Sequence, residues 1–454
     1  MQPRIQRFTG FAAGIAIAAS LVAGLPVTAR VHPAGTPTPE YRIVDDDGKA
    51  GITDTTNQPA CDDQFDNSKN TNDDALAAGY GVVFTTVTRA VAGWKKDGND
   101  ALSNPYATIP AAPAGSVIYV CPGVYNENVT VASPISIVGP KAGMNNWRCR
   151  ARAGEATIIG TTTGPALDLT ASDITVRGMR IANTQGNGVR IGAATSGIRL
   201  NSSVIQSNSN GVVLQGAGQT IRGNCFRDNN SGGPASGIKA GTGGATNVVI
   251  NRNGFIGNRT AAIDLTEGDS AVSGVTIRGN RSLDNVIFVR IDKASEITVA
   301  DNMVDFTTDI SFSSSSTAAI QVKGAGAATI TISGNHIDTN NPRAISIEDP
   351  ASNVIVEDNR ISSVEYGVYV GTKVNPGLVQ VRGNRISDVL NTGIQLDTDT
   401  RLNEISGNRI LGIVNLACQD KSDGGPGTAG TYNTWTNNKS TLDLVSPIGI
   451  CTQI

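Results

Sequence analysis

A short phrase that ends in asparagine and a basic residue returns at regular intervals along the second half of this chain. Its clearest copies are Ile277-Arg-Gly-Asn280-Arg, Ile332-Ser-Gly-Asn335-His, Val356-Glu-Asp-Asn359-Arg, Val381-Arg-Gly-Asn384-Arg and Ile405-Ser-Gly-Asn408-Arg. The last four asparagines are 24, 25 and 24 residues apart. Because self-similarity at such a period marks one structural unit stacked on copies of itself, the 454 residues are predicted to form mainly one solenoid rather than two or three globular domains.

The composition suits a β-rich solenoid. The chain contains 52 glycines, only 4% aromatic residues and 17% charged residues, which is typical of a turn-rich protein whose core is built from small and β-branched side chains. The formal net charge is -3, so there is no basic excess of the kind that favours nucleic acid as a partner.

The N-terminus has the features of a targeting segment. Arg4 and Arg7 precede the apolar run from Phe8 to Leu25, and the small-residue pattern Val27-Thr28-Ala29 follows as a cleavage site. We therefore predict a signal peptide over residues 1–29 and a secreted, extracellular protein with no membrane contact once the signal is removed. An uncleaved membrane anchor is the alternative. Residues 30–79, rich in Pro, Thr and Asp, are predicted to be a linker and N-terminal acidic segment.

Six cysteines in an exported chain predict disulfide bonds, although the count alone allows fifteen pairings. We pair Cys418 with Cys451 as a clasp on the C-terminal segment and Cys61 with Cys121 on the N-terminal side, and we leave Cys149 and Cys225 unassigned.

The stretch before the repeats carries a family resemblance. Val117-Ile118-Tyr119-Val120 is predicted to be a short buried strand and Pro122-Gly123 its turn. Together with the asparagine repeats, this stretch resembles the first coils of the pectin-lyase-like right-handed parallel β-helix superfamily, over roughly residues 100–440. The resemblance implies an all-β fold, a single-stranded right-handed parallel β-helix (solenoid) with N- and C-terminal caps. It leaves the activity open, because the superfamily contains lyases, hydrolases, epimerases, esterases and inactive proteins.

Three segments follow from this assignment. Residues 80–145 are predicted to form an N-terminal cap unit and the first coils, residues 146–416 the β-helix repeats, and residues 417–454 a C-terminal cap. Two longer coils are predicted to bulge from the wall as loops, at Phe306 to Ser316 and at Asn229 to Ser236. Trp435 is predicted to plug the C-terminal end, since an open last coil would expose unpaired backbone groups.

Equivalent residues of stacked coils lie about 4.8 Å apart and so form columns. The recurrent asparagine is then predicted to be an internal ladder, in which each side-chain amide donates to the asparagine of one neighbouring coil and accepts from the other. The predicted rungs are Asn224, Asn253, Asn280, Asn302, Asn335, Asn359, Asn384 and Asn408.

Alternation along the first strand of each coil predicts two outward columns on one face. The first contains Asp168, Arg190, Val213, Lys239, Asp264, Arg290, Gln321, Ser346, Tyr369 and Gln395, and the second Thr266, Asp292, Lys323, Glu348 and Asp397. Charges of both signs thus collect across the middle coils. This position is similar to that of the superfamily's substrate groove, which lies on a strand face between loops.

Two chemistries suit this face. A lyase acting on a uronic-acid polymer must neutralise a carboxylate and remove the neighbouring proton, so it needs cations or calcium and a base. Arg290 and Lys323 are the candidate catalytic residues, and Asp264, Asp292 and Glu348 a possible Ca²⁺ site. Lys239, Gln321, Glu348 and Tyr369 are the candidate substrate-binding residues.

A glycoside hydrolase would instead use two carboxylates. Asp264 and Asp292, one coil and two residues apart, are expected to lie about 8 Å apart at Cα, within the inverting range. The competing interpretation is a solvated sheet face stabilised by ion pairs such as Asp264 with Arg290. The chain has only two histidines, His32 and His336, and no Gly-His-Gly, Asp-Pro-His-Glu or methylesterase-type motif, which disfavours polygalacturonases, alginate epimerases and pectin methylesterases.

A second stripe of cations follows the asparagine ladder. Arg281, His336, Arg360, Arg385 and Arg409 come directly after the ladder residue, and Arg278 and Arg382 lie two residues before it. We interpret these arginines as covering the turn and pairing with acids such as Glu357. Contact with an acidic polysaccharide is the alternative.

The sequence therefore predicts a secreted parallel β-helix that acts on or binds an acidic polysaccharide or cell-envelope glycan. The leading enzymatic version is a polysaccharide lyase working by β-elimination. The alternatives are a non-catalytic structural or glycan-binding protein and an inverting glycoside hydrolase.

Overall fold

The computed structural model describes residues 41–44, 83–84, 86–92, 94–95, 108–109, 111–231, 235–266, 268, 270–306, 317–324, 326–348, 351–371, 379–442 and 444–454. All of them belong to one compact unit, Thr36–Ile454. The predicted signal peptide and nearly all of the predicted linker lie outside the described residues. So does the predicted loop after Phe306, up to Ser316.

The unit is a parallel β-solenoid in which three strands of each coil contribute to three parallel sheets. The first sheet contains Val129–Val131, Leu167–Leu169, Val189–Ile191, Val212–Ala217, Ser236–Thr246, Ala261–Thr266, Val289–Asp292, Ala318–Lys323, Arg343–Ile347, the second halves of Arg360–Val370 and Arg385–Leu396, Leu416–Asp420 and Val445–Ser446. The predicted all-β parallel solenoid is confirmed.

The second sheet contains Tyr41–Val44, Val83–Phe84, Val117–Val120, Ser136–Val138, Thr175–Arg177, Arg199–Asn201, Thr220–Arg222, Val249–Asn251, Thr276–Arg278, Ser295–Ala300, Ala328–Ser333, Ser352–Glu357, Val379–Arg382, Glu404–Ser406 and Thr434–Thr436. The short strand Val272–Ser273 joins the end of Ser236–Thr246 to Ser295.

The third sheet contains Gly123–Asn126, Ala156–Ile159, Met179–Ala182, Val204–Gln206, Cys225–Arg227, Gly254–Ile256, Arg281–Leu283, Met303–Asp305, His336–Asp338, the first halves of Arg360–Val370 and Arg385–Leu396, Arg409–Ile413, Lys439–Ser440 and Thr452–Gln453. Outside the three sheets lie an antiparallel pair, Trp94–Lys95 with Thr108–Ile109, the α-helix Val87–Ala92 and the 3-10 turn Thr428–Gly430. No described helix has the length and apolar character that crossing a bilayer requires.

The core is a continuous apolar interior made by the inward residue of each strand. Its side chains are mainly Val, Ile and Leu, and a stack of aromatic rings fills the middle coils. The Phe226 and Phe255 rings lie 4.9 Å apart and nearly parallel, and the Phe288 ring meets Phe255 edge-on at 6.5 Å. Branched and aromatic residues suit this pleated, fully buried surface.

The predicted asparagine ladder is present along its whole length. Asn384 is representative: its Nδ2 donates to Asn408 Oδ1 at 3.0 Å and to the Val356 carbonyl at 2.9 Å. Its Oδ1 accepts from Asn359 Nδ2 and from the Asn359 backbone N–H, both at 3.0 Å. The same pattern continues one rung further than predicted, to Asn438. Each buried amide is thus satisfied by its neighbours, as burial of polar groups requires.

A second asparagine ladder was not predicted. Asn208, Asn229, Asn258 and Asn285 are each at most 2% exposed, and each of the first three donates from Nδ2 to the next at 2.8 or 2.9 Å. The prediction of a loop from Asn229 to Ser236 is therefore wrong at both ends. Asn229 is a buried rung, and Ser236 begins a strand of the first sheet. Residues 232–234 lie outside the described part.

Two disulfides are described. Cys418–Cys451 is present as predicted, and the unassigned cysteines form Cys149–Cys225, across 76 sequence positions. Cys121 is also disulfide-bonded, while Cys61, its predicted partner, lies outside the described residues. Trp435 is 4% exposed and lies in Thr434–Thr436, the last strand of the second sheet, which confirms its predicted position at the C-terminal end. Its Nε1 donates to Asp420 Oδ2 at 2.8 Å.

Candidate functional site

The outward columns of the first sheet have the predicted register. Strand pairing places these residues opposite one another in succession: Asp168, Arg190, Val213, Lys239, Asp264, Arg290, Gln321, Ser346, Tyr369 and Gln395. In the neighbouring column Thr266, Asp292 and Lys323 are likewise opposite one another. We call these two columns, with Glu348 and Asp397, the first-sheet face.

The first-sheet face is less exposed than a solvated sheet surface. Asp264 and Gln395 are each 5% exposed and Gln321 is 7% exposed, although all three point away from the core. Their polar groups are therefore held among neighbouring side chains. Because charges held in this way need partners, the pairing of each carboxylate decides what the face can do.

The central coils contain the two longest ion pairs on this face among the described residues. Arg290 Nη1 lies 3.5 Å from Asp264 Oδ2, and Lys323 Nζ lies 3.8 Å from Asp292 Oδ2. Asp264 also accepts a 2.6 Å hydrogen bond from Thr266 Oγ1. The buried Nε of Arg290 has no hydrogen-bond partner in the described structure. The four predicted catalytic residues thus lie together, with Arg290 and Lys323 loosely held.

Further along the face, a tighter cluster forms around Tyr369. The Arg343 guanidinium stacks on the Tyr369 ring at 3.6 Å and its Nη1 bonds Glu348 Oε1 at 2.8 Å. Ser346 Oγ donates to the same Glu348 oxygen at 2.8 Å. Sequence reasoning missed Arg343, because strict alternation places it on the inward side of its strand. Its position at the very start of the strand frees its long side chain to turn outward.

Tyr369 also contacts Asp397, and this pair shifts both groups. Tyr369 OH donates to Asp397 Oδ2 at 2.8 Å, and Lys421 Nζ lies 3.4 Å from Asp397 Oδ1. Burial raises the pKa of Tyr369 to about 12, helped by the negative charge of Asp397. Burial also acts to raise the pKa of Asp397, but hydrogen bonds from Tyr369 and the Thr398 backbone, with the charge of Lys421, outweigh it and lower that pKa.

The possible calcium site does not form as predicted. Within the described residues, no three His, Cys, Asp or Glu side chains are placed to hold a metal ion together. Asp264, Asp292 and Glu348 instead each face a different cation. Lys239 is half-buried in the coil before Asp264, and it makes no ion pair with any described residue.

The six arginines of the second stripe divide into two groups. Three of them pair with acids as interpreted: Arg278 with Asp301 at 2.8 Å, Arg382 with Glu357 at 2.7 Å and Arg281 with Asp305 at 3.4 Å. Arg360, Arg385 and Arg409 do not, since none has an acidic partner among the residues that the structure describes. For these three the predicted pairing with acids is wrong. With Lys439 they form one outward line on the third sheet, which we call the cation column.

Comparison with known proteins identifies the family. The family model for a right-handed β-helix region matches residues 166–307 and 305–443. No curated protein matches the sequence. Among solved structures, the chain is similar to the crystal structure of DFA-IIIase from Arthrobacter chlorophenolicus A6 in complex with GF2, with 12% identity and a TM-score of 0.40 over 81% of this chain and 94% of that one. Since the family model covers more than half of its length, the chain belongs to the right-handed β-helix family.

Proposed function

We propose that the protein is secreted and that its first-sheet face binds an acidic polysaccharide, which it cleaves by β-elimination at Arg290 and Lys323. One observation carries the proposal. The cations of the two central coils are held by the longest ion pairs on the face, and Arg290 keeps an unsatisfied donor. The long pairs leave Arg290 and Lys323 more available to a bound carboxylate than the cations of the shorter pairs elsewhere on the face, Arg190 and Arg343.

The positions of the two cations suit the two tasks of an elimination. Arg290 lies opposite Gln321, and Lys323 is two residues further along the same strand. Arg290 would bind the uronate carboxylate and stabilise the charge that develops on it. Lys323, after releasing one of its own protons to solvent, would accept the proton beside that carboxylate. The electron pair then forms a carbon–carbon double bond, and the glycosidic oxygen leaves and takes a proton from solvent.

Other residues of the face would extend the contact along the polymer. Lys239 has no ion-pair partner in the described structure, so it is available to a second carboxylate two coils from Arg290. Gln321 lies between Arg290 and Ser346 and can hydrogen-bond sugar hydroxyls. Tyr369 and Glu348 would border the site at the coils that follow. The disulfides are compatible with an extracellular location.

The hydrolase alternative is less well supported. Asp264 and Asp292 are one coil apart as expected, but the Asp264 side chain is only 7% exposed and is bonded to Thr266 and Arg290. An inverting mechanism needs a water and a sugar between two accessible carboxyl groups. Asp264 does not offer that access.

The test is incubation of the purified protein with a panel of uronate polymers while the absorbance of the unsaturated product is followed, with and without calcium. Arg290→Gln and Lys323→Gln are expected to lower the rate by about 100-fold or more. Lys323→Gln should leave thermal stability little changed, because its ion pair is long and partly exposed. Arg290→Gln is expected to lower the melting temperature as well, because it leaves the 7%-exposed Asp264 side chain without its cation. Arg190→Gln is the matched control, since Arg190 pairs with Asp168 in the same column, four coils earlier.

Two outcomes would count against the proposal. Absence of product from every polymer removes the lyase activity. Retention on an immobilised uronate polymer then separates a glycan-binding protein from one that does not bind. Absence of both product formation and retention removes the proposal entirely.

A further inference from the structure

The cation column lies on the third sheet, away from the first-sheet face. We propose that Arg360, Arg385, Arg409 and Lys439 form a second binding site, for a linear polymer of hexuronate units. The site does not depend on the activity proposed for the first sheet, because it shares no strand segment with Arg290 or Lys323.

The column is built by the residue directly after each rung of the asparagine ladder. Strand pairing sets Arg360 opposite Arg385, Arg385 opposite Arg409, and Arg409 opposite Lys439. All four side chains are exposed. Neighbouring strands are about 4.8 Å apart, so the four charges span about 14 Å in a straight line. The buried ladder beside them fixes this spacing.

Earlier coils of the same sheet show how a cation is neutralised there. Arg281 pairs with Asp305, which lies in the next coil and two residues along its strand. The acidic position is kept one coil later by Asp338. In the following coils the equivalent position holds Ser362, Ser387 and Leu411. The acidic side chain is therefore absent from this position in the coils where a cation follows every rung of the ladder.

This arrangement is unfavourable for the protein alone. Like charges directly opposite one another on neighbouring strands repel, and Arg385 has such a neighbour on each side. Within the described structure nothing offsets this repulsion by ion pairing. A ligand that places one anion against each cation would remove it, and a column of four would bind more tightly than any single contact.

The geometry favours a uronate chain over other polyanions. A hexuronate polymer carries one carboxylate per sugar unit, at intervals comparable with the strand spacing. Ser362 and Ser387, beside the arginines, can hydrogen-bond sugar hydroxyls. Single-stranded nucleic acid is bound by basic grooves that also offer aromatic rings for stacking. The residues two positions after the four cations, Ser362, Ser387, Leu411 and Thr441, include no aromatic ring on which a base could stack.

The experiment measures binding of fluorescent galacturonate oligomers, a dimer and a hexamer, to the full chain. The hexamer is expected to bind more tightly than the dimer, and binding to weaken as salt is added. Arg360→Gln, Arg385→Gln and Arg409→Gln are each expected to weaken hexamer binding about threefold, and the triple variant more than tenfold. Arg382→Gln is the matched control: it is exposed on the neighbouring second-sheet strand but paired with Glu357, and should leave binding unchanged.

Thermal melts verify that each variant is folded. Hexamer affinity unchanged in the triple variant would overturn the proposal, as would equal binding of a fully methyl-esterified hexamer or of single-stranded DNA of the same length. Combining Arg290→Gln with Lys323→Gln keeps the two proposals separate. Intact hexamer binding in that variant supports the third-sheet site whether or not the first-sheet activity exists, and loss of hexamer binding there would assign the binding to the first-sheet face and overturn the third-sheet site.

Discussion

The asparagine ladder and the cation column run side by side through this solenoid, since each cation directly follows a ladder asparagine in the sequence. The two columns differ in where their polar groups find partners. Asn384 faces the interior and Arg385 the solvent, and the same holds for Asn408 and Arg409. A side-chain amide both donates and accepts, so a column of amides satisfies itself. A guanidinium only donates, so a column of arginines needs an outside partner. The buried column is therefore structural, and the exposed one is suited to binding.

The largest expected effect comes from breaking the buried column. Asn384→Ala would remove the acceptor of the Asn359 backbone N–H and of one Asn359 Nδ2 hydrogen, and the side-chain donor to the Val356 carbonyl and to Asn408 Oδ1. Since each orphaned buried group costs about 1–3 kcal/mol, we expect the free energy of unfolding to fall by about 4 kcal/mol. Urea denaturation followed by circular dichroism measures it. Asn391→Ala is the control, because Asn391 is only partly buried. A similar loss in that variant would show that the ladder asparagines stabilise the fold no more than other asparagines do.

The next effect concerns the end of the same ladder. The last rung, Asn438, is covered by Thr452, whose backbone N–H donates to the Asn438 carbonyl at 2.9 Å. Cys418–Cys451 holds that final strand across a loop of 33 positions. Replacing both cysteines by serine is expected to cost about 3 kcal/mol and to shift the fluorescence of buried Trp435 to longer wavelength. An unchanged melting temperature and spectrum would mean that the clasp does not protect the ladder's end.

A smaller loss of stability is expected on the first-sheet face, where acidic and basic side chains neutralise one another in ion pairs. Tyr369→Phe removes one hydrogen bond that lowers the pKa of Asp397. A carboxyl with a lowered folded pKa stabilises the fold above its unfolded pKa, near 4, and loses that contribution as pH falls through the folded value. The variant is expected to lose about 1 kcal/mol at neutral pH, and its difference from the unmodified protein is expected to shrink as pH falls below about 4 and Asp397 becomes protonated in both. Unfolding curves across the acid range test this, and coincident pH profiles would contradict it.

The smallest effect sharpens the contrast between the two halves of the third sheet. Arg385→Gln relieves repulsion from both neighbours and is expected to raise the free energy of unfolding by about 0.5 kcal/mol. Arg281→Gln breaks the pair with Asp305 and is expected to lower it by a similar amount. Thermal melts at low salt measure both changes, and high salt should reduce both. Changes of the same sign in the two variants would contradict the distinction.

The sequence predicted the columns well because two simple rules set them. Alternation along a strand decides which side chains face out, and the repeated asparagine aligns one coil with the next. Hence Asp264, Arg290 and Gln321 lie opposite one another as predicted. Pairing between columns was harder to predict, since it depends on where long side chains reach. Arg343 turning onto Tyr369 is an example.

Features that occur only a few times were missed. The ladder that includes Asn229 has four rungs, too few to stand out as a repeat, and one of them adjoins an unusually long coil. Cys149 lies in an irregular segment between strands, so its partner, Cys225, could not be found from spacing. The change from Asp338 to Ser362 was visible in the sequence. Its significance follows from the pairing of Arg281 with Asp305, which shows that an acid at this position neutralises the arginine of the preceding coil.

Alignment of equivalent residues in successive coils underlies both columns, and disulfide cross-linking tests it most directly. Arg360→Cys combined with Arg385→Cys places two cysteines directly opposite on neighbouring strands, about 4.8 Å apart at Cα and within the range of a disulfide. Arg360→Cys combined with Asp388→Cys offsets the pair by three residues. Mild oxidation followed by peptide mapping is predicted to cross-link the first pair and leave the second reduced. Cross-linking of the offset pair, with none in the aligned pair, would contradict the register on which both columns depend.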